Sequence, residues 1–379
     1  MTTPRRVLMK GNVALAEAAI AAGCDAYFGY PITPQTELLE RMALRMPALG
    51  RVFVQAESEL GAIAMAMGAA AAGARVLVTT SSPGFSLMAE TMSYLAASEL
   101  PVVVVDVMRG GPGLGGIGAA QSDYLQATKG HGHGDYHVPV LAPASIPEMT
   151  ELVPVAFELA ERRRTPVILL ADGILGQAME PVVPAFRTLP PPAMDRALTG
   201  AAGRAPRVVS SLHLHPEDLE AHNRRLAAKA TAIAAEEVRW DADGTDGAEL
   251  LVVAYGTAAR IARSAVESVR AEGLHVGTFR PITAWPFPAA QLRAAARGTA
   301  GVLVVELSLG QLVEDVRLAL DGRVPIAFHG RTGGMLPTPD EVAAAIRALD
   351  RASDVGQDDD GWGADPFGLI ASGARRAQR

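Results

Sequence analysis

VVVVDV, residues 102–107, decides the fold. Apolar residues at consecutive positions leave no wet face, as expected for a strand covered by helices on both sides. VILLAD at 167–172 repeats the pattern. Working outward, strand-like runs fall at residues 25–28, 52–55, 75–80, 102–107, 139–142 and 167–171. Residues 12–22, 59–72, 86–97 and 146–164 lie between them and are long enough for helices. The last of these opens with Ser145 and Glu148, the spacing of a capping box. Such alternation of strand and helix predicts a parallel α/β sheet.

The composition then changes. PVVPAFRTLPPPAMDRALTGAAGRAPR, residues 181–207, is proline-rich and aperiodic, and reads as a linker. A polar helix is expected over 217–238, followed by a break at DADGTDG (241–247). A second α/β unit begins at ELLVVAYGT, with strands at 250–254, 275–279, 302–306 and 325–328. Its closing helix starts at TPDE, with Thr338 as cap, Pro339 in the first turn and Glu341 completing the box. The division expected is therefore 1–187, a linker with one helix at 188–247, a second domain at 248–350, and a tail at 351–379. That tail, with DDDGWGADPFG, has the composition of a disordered segment.

A chain of 379 residues is too long for one ordinary core, which agrees with two domains. The net charge of −7, with no Lys/Arg cluster interleaved with aromatics, argues against nucleic-acid binding. RRVLMK is too short for a signal-peptide core and no apolar run reaches membrane-spanning length, so a cytoplasmic protein is expected. Cys24 is the only cysteine. The chain can hold neither an internal disulfide nor a cysteine-ligated iron–sulfur cluster, and redox work would need a small cofactor or a partner.

Several clusters invite chemical readings. RGGPGLGGIG places Gly113, Gly115 and Gly118 in GxGxxG register. A dinucleotide fingerprint needs its first glycine directly after a strand and a helix opening at the third. Here the strand ends near Val107, which favours a loop lining a ligand or partner. HGHGDYH offers His131, His133, Asp135 and His137, but no distal cluster completes a metal shell, and a glycine-rich surface loop is the simpler reading. QAESELGAIAMAMGAAAAG sets Glu57 and Glu59 where a strand gives way to a helix of small residues. Both could serve the helix N-terminus electrostatically. A glutamate in an apolar wall can instead hold or share a proton. Arg109 ends a buried strand, at the edge where open α/β sheets bind ligands. Thr33, in the loop YPITP (30–34), shares that edge, and a guanidinium with a hydroxyl suits a small carboxylate. A surface ion pair is the alternative for Arg109.

YPITP, QAESE, SSPG, ELPVVVVDVMRGGPG, QSDYLQATKG, HGDY and VAYGTAARI occur in this order between about Val7 and Leu349. Together they resemble the α subunit of 2-oxoacid:ferredoxin oxidoreductases, most closely the 2-oxoisovalerate and 2-oxoglutarate branch. The resemblance implies a thiamine diphosphate-binding, pyrimidine-type parallel-sheet domain followed by a transketolase C-terminal-like α/β domain. It implies that Glu59 hydrogen-bonds the aminopyrimidine, and that Pro31 and Ile32 border the cofactor. Thr33 would meet the substrate's carboxylate or keto group, and Arg109 would hold the carboxylate. The reaction implied is coenzyme A-acylating oxidative decarboxylation of a 2-oxoacid, with reduction of ferredoxin.

The GDG…N signature for magnesium and diphosphate is not found, since GDY at Gly134 and ADG at Ala171 lack its continuation. The resemblance therefore implies a β subunit that shares the thiamine diphosphate and carries Mg²⁺. A separately encoded γ subunit and a ferredoxin-type iron–sulfur subunit or ferredoxin are further expected partners. His131 departs from the family, whose members usually carry glycine there; Gln35 and Thr36 stand where other branches have Ser-Ser and could bear on substrate choice. An NAD-dependent dehydrogenase and a non-catalytic scaffold are the competing readings. Pro31 and Pro34 restrict the backbone on either side of Thr33, which would pre-organise its hydroxyl.

Overall fold

The computed structural model describes residues 5–130 and 132–354. The expected disordered tail falls mostly outside them, as does His131. Along the chain come β1 (Val7–Lys10), α1 (Gly11–Ala21), β2 (Ala26–Gly29), α2 (Thr36–Ala48), β3 (Val52–Gln55), α3 (Glu59–Ala71), β4 (Val76–Thr80), α4 (Pro83–Ala97) and β5 (Val103–Met108). Next are α5 (Tyr124–Lys129), β6 (Val140–Leu141), α6 (Ile146–Arg163), β7 (Val167–Asp172), α7 (Gly173–Gln177) and β8 (Met179–Val182). Residues 183–215 contain no helix or strand, as their proline content predicts. The remainder is α8 (Pro216–Glu236), β9 (Trp240–Asp243), β10 (Leu250–Ala254), α9 (Gly256–Ala271), β11 (Val276–Pro281) and β12 (Thr283–Trp285). It ends with α10 (Ala289–Ala295), β13 (Gly301–Glu306), α11 (Leu312–Leu320), β14 (Ile326–Gly330) and α12 (Pro339–Asp354).

One sheet has the order β12-β6-β7-β5-β4-β2-β3, parallel throughout except for β12, which runs antiparallel to β6. The valine run forms β5 at its centre. Val104 packs on one face with Val78 and Ile168, whereas Val103 and Val105 pack on the other with Leu77 and Leu169. Both faces are thus dry, which explains the unbroken apolar run. Each valine fully buried in this way contributes about 1.5–3 kcal/mol of transfer free energy.

A second sheet has the order β14-β13-β10-β11-β9, parallel except for β9. The stretch expected to break at 241–247 instead contributes β9, paired with β11 across Thr278↔Asp243 and Pro281↔Trp240. Every residue of β9 is exposed, so no apolar pattern announces it. β12 leaves the second sheet's neighbourhood to pair with β6, tying the C-terminal half onto the first sheet. The helix boundaries follow their caps: Thr338 and Glu341 bond reciprocally at 2.8 and 3.1 Å. At α6, Ser145 accepts from Glu148 N, but the Glu148 carboxylate reaches Ala144 N, one residue before the expected partner. No helix among the described residues is long and apolar enough to cross a membrane.

The sheet order determines where a ligand can enter. β2 sends the chain one way to β3 and then back to β4 on its other side. Loops leaving neighbouring strands in opposite directions open a crevice at their carboxyl ends. The chain leaving β2, β4 and β5 carries Thr33, the SSPG turn and Arg109 respectively, and Glu59 opens α3 directly after the loop that follows β3.

Candidate functional site

The YPITP loop is fixed through its backbone carbonyls. Pro34 O accepts from Asn12 Nδ2 at 2.7 Å and from Gln177 Nε2 at 2.8 Å. Gln35 Nε2 donates to Tyr30 O at 3.1 Å, and Gln35 Oε1 accepts from the Thr79 hydroxyl at 2.8 Å. Gln35 is fully buried, so its side chain braces the loop from inside. Thr33 remains exposed with Pro31, while Ile32 is half-buried. The framework leaves the Thr33 hydroxyl available to a ligand.

Glu37 anchors the same loop. Its carboxylate accepts from Lys10 Nζ at 2.8 Å, Asn12 Nδ2 at 3.0 Å and Gln177 Nε2 at 2.8 Å. Partial burial opposes its charge, but these donors and its own backbone N–H outweigh that and hold its pKa down to about 2.

Glu59 begins α3. Ser58 caps the helix by accepting from Gly61 N at 3.2 Å. Glu57 is exposed, so the two glutamates separate into a surface residue and a buried one; Glu59 is only 4% exposed. The Glu59 side chain lies against Gly84 of the SSPG turn. A Cβ at Gly84 would collide with the Glu59 carboxylate and the Thr80 hydroxyl. The buried hydroxyls of Thr80 and Ser81 have no hydrogen-bond partner among the described residues. Unmet buried groups cost roughly 1–3 kcal/mol each, so this wall is built to receive polar atoms of a ligand.

Arg109 follows β5 directly and is 7% exposed. Its Nη1 donates to Thr33 O at 2.9 Å and its Nη2 to Leu114 O at 3.0 Å. Its buried Nε has no hydrogen-bond partner among the described residues. The surface-ion-pair alternative is thereby excluded, because both bonded nitrogens go to backbone carbonyls. Thr33 and Arg109 are brought together, joined through the threonine's carbonyl.

The glycine loop closes on itself through Gly110 N to Gly118 O (2.8 Å) and Gly116 N to Gly110 O (2.7 Å). Gly118 packs against Gly334. No helix opens at the third glycine; α5 starts at Tyr124. The dinucleotide fingerprint therefore lacks the helix N-terminus that would bind a pyrophosphate. Leu114 and Ile117 stand 81% and 69% exposed on this loop. In HGHGDYH, His137 stacks on Trp285 with centroids 4.9 Å apart, and burial followed by the charge of Lys129 lowers its pKa. No three His, Cys, Asp or Glu among the described residues are placed to hold a metal ion.

Residues behind the site were not singled out by sequence. Asn12 and Gln177 act across 22 and 143 positions on one carbonyl, which no local pattern reveals. Thr80 read as a strand end, and Ser81 entered only as the first residue of the SSPG motif. Asp106 did leave a signal, as the lone charge within the valine run.

Residues 17–211 match the family described as pyruvate flavodoxin/ferredoxin oxidoreductase, thiamine diphosphate-binding, and residues 248–342 match pyruvate:ferredoxin oxidoreductase core domain II. The ketoisovalerate oxidoreductase subunit VorB of Methanothermobacter thermautotrophicus is 47% identical over 343 residues, covering 90% of this chain and 97% of the relative. The 2-oxoglutarate synthase subunit KorA of Methanothermobacter marburgensis is 36% identical over 371 residues, covering 90% and 98%. Among solved structures, the 2-oxoglutarate:ferredoxin oxidoreductase from Magnetococcus marinus, with 2-oxoglutarate, coenzyme A and succinyl-CoA bound, superposes with a TM-score of 0.84 at 28% identity. That match covers 91% of this chain and 65% of the other, so this chain spans about two thirds of that one.

Proposed function

The chain belongs to the 2-oxoacid:ferredoxin oxidoreductase family, and from that premise we propose that it is the α subunit of an enzyme acting on a branched-chain 2-oxoacid of the 2-oxoisovalerate type. The site assignment is supported by two contacts at the same sheet edge: Arg109 bonds the Thr33 carbonyl, and Glu59 lies with the unpartnered Thr80 hydroxyl against Gly84.

These residues fit thiamine diphosphate in kind. A buried carboxylate with unpaired hydroxyls beside it suits the polar edge of an aminopyrimidine, and Gly84 leaves the space that a Cβ would fill. When bound, thiamine diphosphate supplies the carbon nucleophile and the electron sink for loss of CO₂. Glu59 holds a proton at the pyrimidine ring, in a wall that excludes water. Arg109 takes the substrate carboxylate with its remaining donors, and Thr33 directs its hydroxyl at the same group. Pro31 and Ile32 flank the cofactor. Holding both reactants on a braced loop lowers the entropic part of the barrier.

Other functions fall to partners. Cys24 is fully buried and burial pushes its thiol up to about 12, so this chain offers no thiolate to an iron–sulfur cluster. A β subunit would complete the cofactor site and carry Mg²⁺. A γ subunit and a ferredoxin-type subunit or ferredoxin would take the electrons, with coenzyme A as acyl acceptor, in the cytoplasm.

The aliphatic substrate is favoured by three observations. Identity is higher to the ketoisovalerate relative than to the 2-oxoglutarate relative. The loop whose Leu114 carbonyl binds Arg109 also presents the Leu114 and Ile117 side chains. Arg331, near the Gly333–Gly334 pair that packs on this loop, is engaged by Glu341 at 2.6 Å. A dicarboxylate would need a second free cation. The test is co-expression with the partner subunits and 2-oxoacid-dependent dye reduction with thiamine diphosphate, Mg²⁺ and coenzyme A. We expect kcat/KM for 2-oxoisovalerate to exceed that for 2-oxoglutarate by about tenfold or more. The reverse order would overturn the substrate, and inactivity on every 2-oxoacid in an intact complex would overturn the function.

A further inference from the structure

Behind Arg109 lies a second acidic centre. Asp106 is wholly buried within β5, and Asp123, at the start of α5, is 8% exposed. Ser82 joins them. Its backbone N–H donates to Asp106 Oδ1 at 2.9 Å, and its hydroxyl donates to Asp123 Oδ2. The same Ser82 Oγ accepts from Arg109 N at 2.9 Å. Ser82 itself sits at φ 22°, a conformation that L residues rarely adopt, and immediately precedes the turn that sets Gly84 against Glu59.

The donor supply around these acids is uneven. Asp172, also buried, accepts from Ile174 N, Leu175 N and both the N–H and hydroxyl of Thr257. Glu306 accepts from Ser308 Oγ and from the backbone of Gln311, Leu312 and Val313. Burial raises both above the usual carboxylate range, and these donors partly offset it. Asp106 Oδ2, by contrast, has no donor among the described residues. Ser82 brings the Asp123 carboxyl beside Asp106, and a bond between two carboxyls exists only when one of them is protonated.

We propose that Asp106 and Asp123 hold one proton between them and, through Ser82, act as positioning residues for Arg109 and for the turn beside Glu59. The inference rests on the reading of Arg109 as the anchor of the substrate carboxylate. Burial, then the neighbouring Asp123, raises Asp106 well above the carboxylate range; burial likewise raises Asp123, which the Ser82 and Asp106 hydrogen bonds and then the charge of Arg109 partly offset. The other groups nearby are Asp172 and Glu306, satisfied as above, Tyr255, and Glu59 across Gly84. Burial first, and then Glu306, Asp172, Asp123 and Asp106, keep the Tyr255 hydroxyl neutral. Arg109 is the cation that acts on Asp123, and it is also the group being positioned.

The sign follows from the raised values. The shared proton is retained below the pair's pKa and leaves as pH climbs through it, whereupon two carboxylates oppose each other across Ser82. Arg109 then loses its register, and KM for the 2-oxoacid rises on the alkaline side.

The experiment uses the assembled complex carrying Asp106→Asn, Asp106→Ala, Asp123→Asn or Arg109→Ala, with steady-state kinetics over pH and infrared difference spectra against wild type. Wild type should show a protonated-carboxyl band that shifts on deuteration and disappears in both Asn variants. Asp106→Asn, which supplies its own N–H donor, should flatten the alkaline rise in KM. Asp106→Ala should raise KM about tenfold or more at every pH, with a smaller effect on kcat. If that variant fails to assemble, the Asn spectra and pH profiles decide. Retention of the band in either Asn variant overturns the shared proton. An unaltered alkaline limb in Asp106→Asn overturns the positioning role. Should Arg109→Ala leave KM unchanged, the assignment of Arg109 itself fails, a result separable from both.

Discussion

Arg109 Nη1 donates a 2.9 Å hydrogen bond to the backbone carbonyl of Thr33, so the cation and the hydroxyl proposed to meet the substrate are mechanically one unit. The second arm of the same guanidinium holds Leu114 O at 3.0 Å. Arg109 thus fastens two loops while keeping donors in reserve. A lysine cannot replace it, because a point charge lacks the planar fork that reaches both carbonyls. Arg109→Lys should raise KM for the 2-oxoacid about tenfold or more and lower kcat less, measured by initial rates in the assembled complex. A KM within error of wild type would remove Arg109 from the substrate site.

Glu59 and Gly84 form a second pair that can be tested from both sides. Glu59→Gln removes the acid but keeps the shape, and turnover should fall by roughly 10²–10⁴-fold, the range typical for losing a general acid or base. Gly84→Ala keeps the acid but drives a methyl group into its carboxylate and into Thr80. Overpacking of this kind costs about 1–3 kcal/mol. The expected result is weakened thiamine diphosphate binding by calorimetry together with a lower Tm. Normal binding by Gly84→Ala would show that the wall is looser than its geometry indicates.

Leu114 and Ile117 are exposed on the loop that Arg109 holds, which makes them candidates for substrate choice. Ile117→Arg adds the second cation that a dicarboxylate needs. The ratio of kcat/KM for 2-oxoglutarate to that for 2-oxoisovalerate should rise about tenfold or more. An unchanged ratio would place the pocket on a partner subunit.

The sheet was legible because its signal is local. An unbroken apolar run at β5, and similar runs at β4 and β7, can be read without knowing what they touch. β9 was not legible, since all four of its residues are exposed and only backbone bonds hold it to β11. α2 could have been found: Leu38, Leu39, Met42 and Met46 form its buried stripe, directly after the prolines that drew attention to the loop. At the site, residue types and the motif order pointed to Thr33, Glu59 and Arg109. What holds them was hidden, because Pro34 O is braced by side chains from α1 and α7, and a carbonyl acceptor carries no sequence identity.

Those braces yield a prediction about acid. Glu37 gathers Lys10, Asn12 and Gln177, two of which also donate to Pro34 O. Burial alone would raise its pKa; the donors lower it from 4.5 to about 2. A group whose folded pKa is depressed contributes stability that is present above its unfolded value and is lost as pH falls through the folded one. Glu37→Gln should therefore lower Tm most near neutral pH, and the difference from wild type should close as pH falls from about 4.5 towards about 2. Because the same cluster fixes the YPITP loop, the variant should also raise KM for the 2-oxoacid at neutral pH by about threefold or more. Thermal melts of the chain across that pH range, paired with kinetics of the complex, check both halves. A Tm difference that stays constant with pH would show that Glu37 contributes packing and not charge.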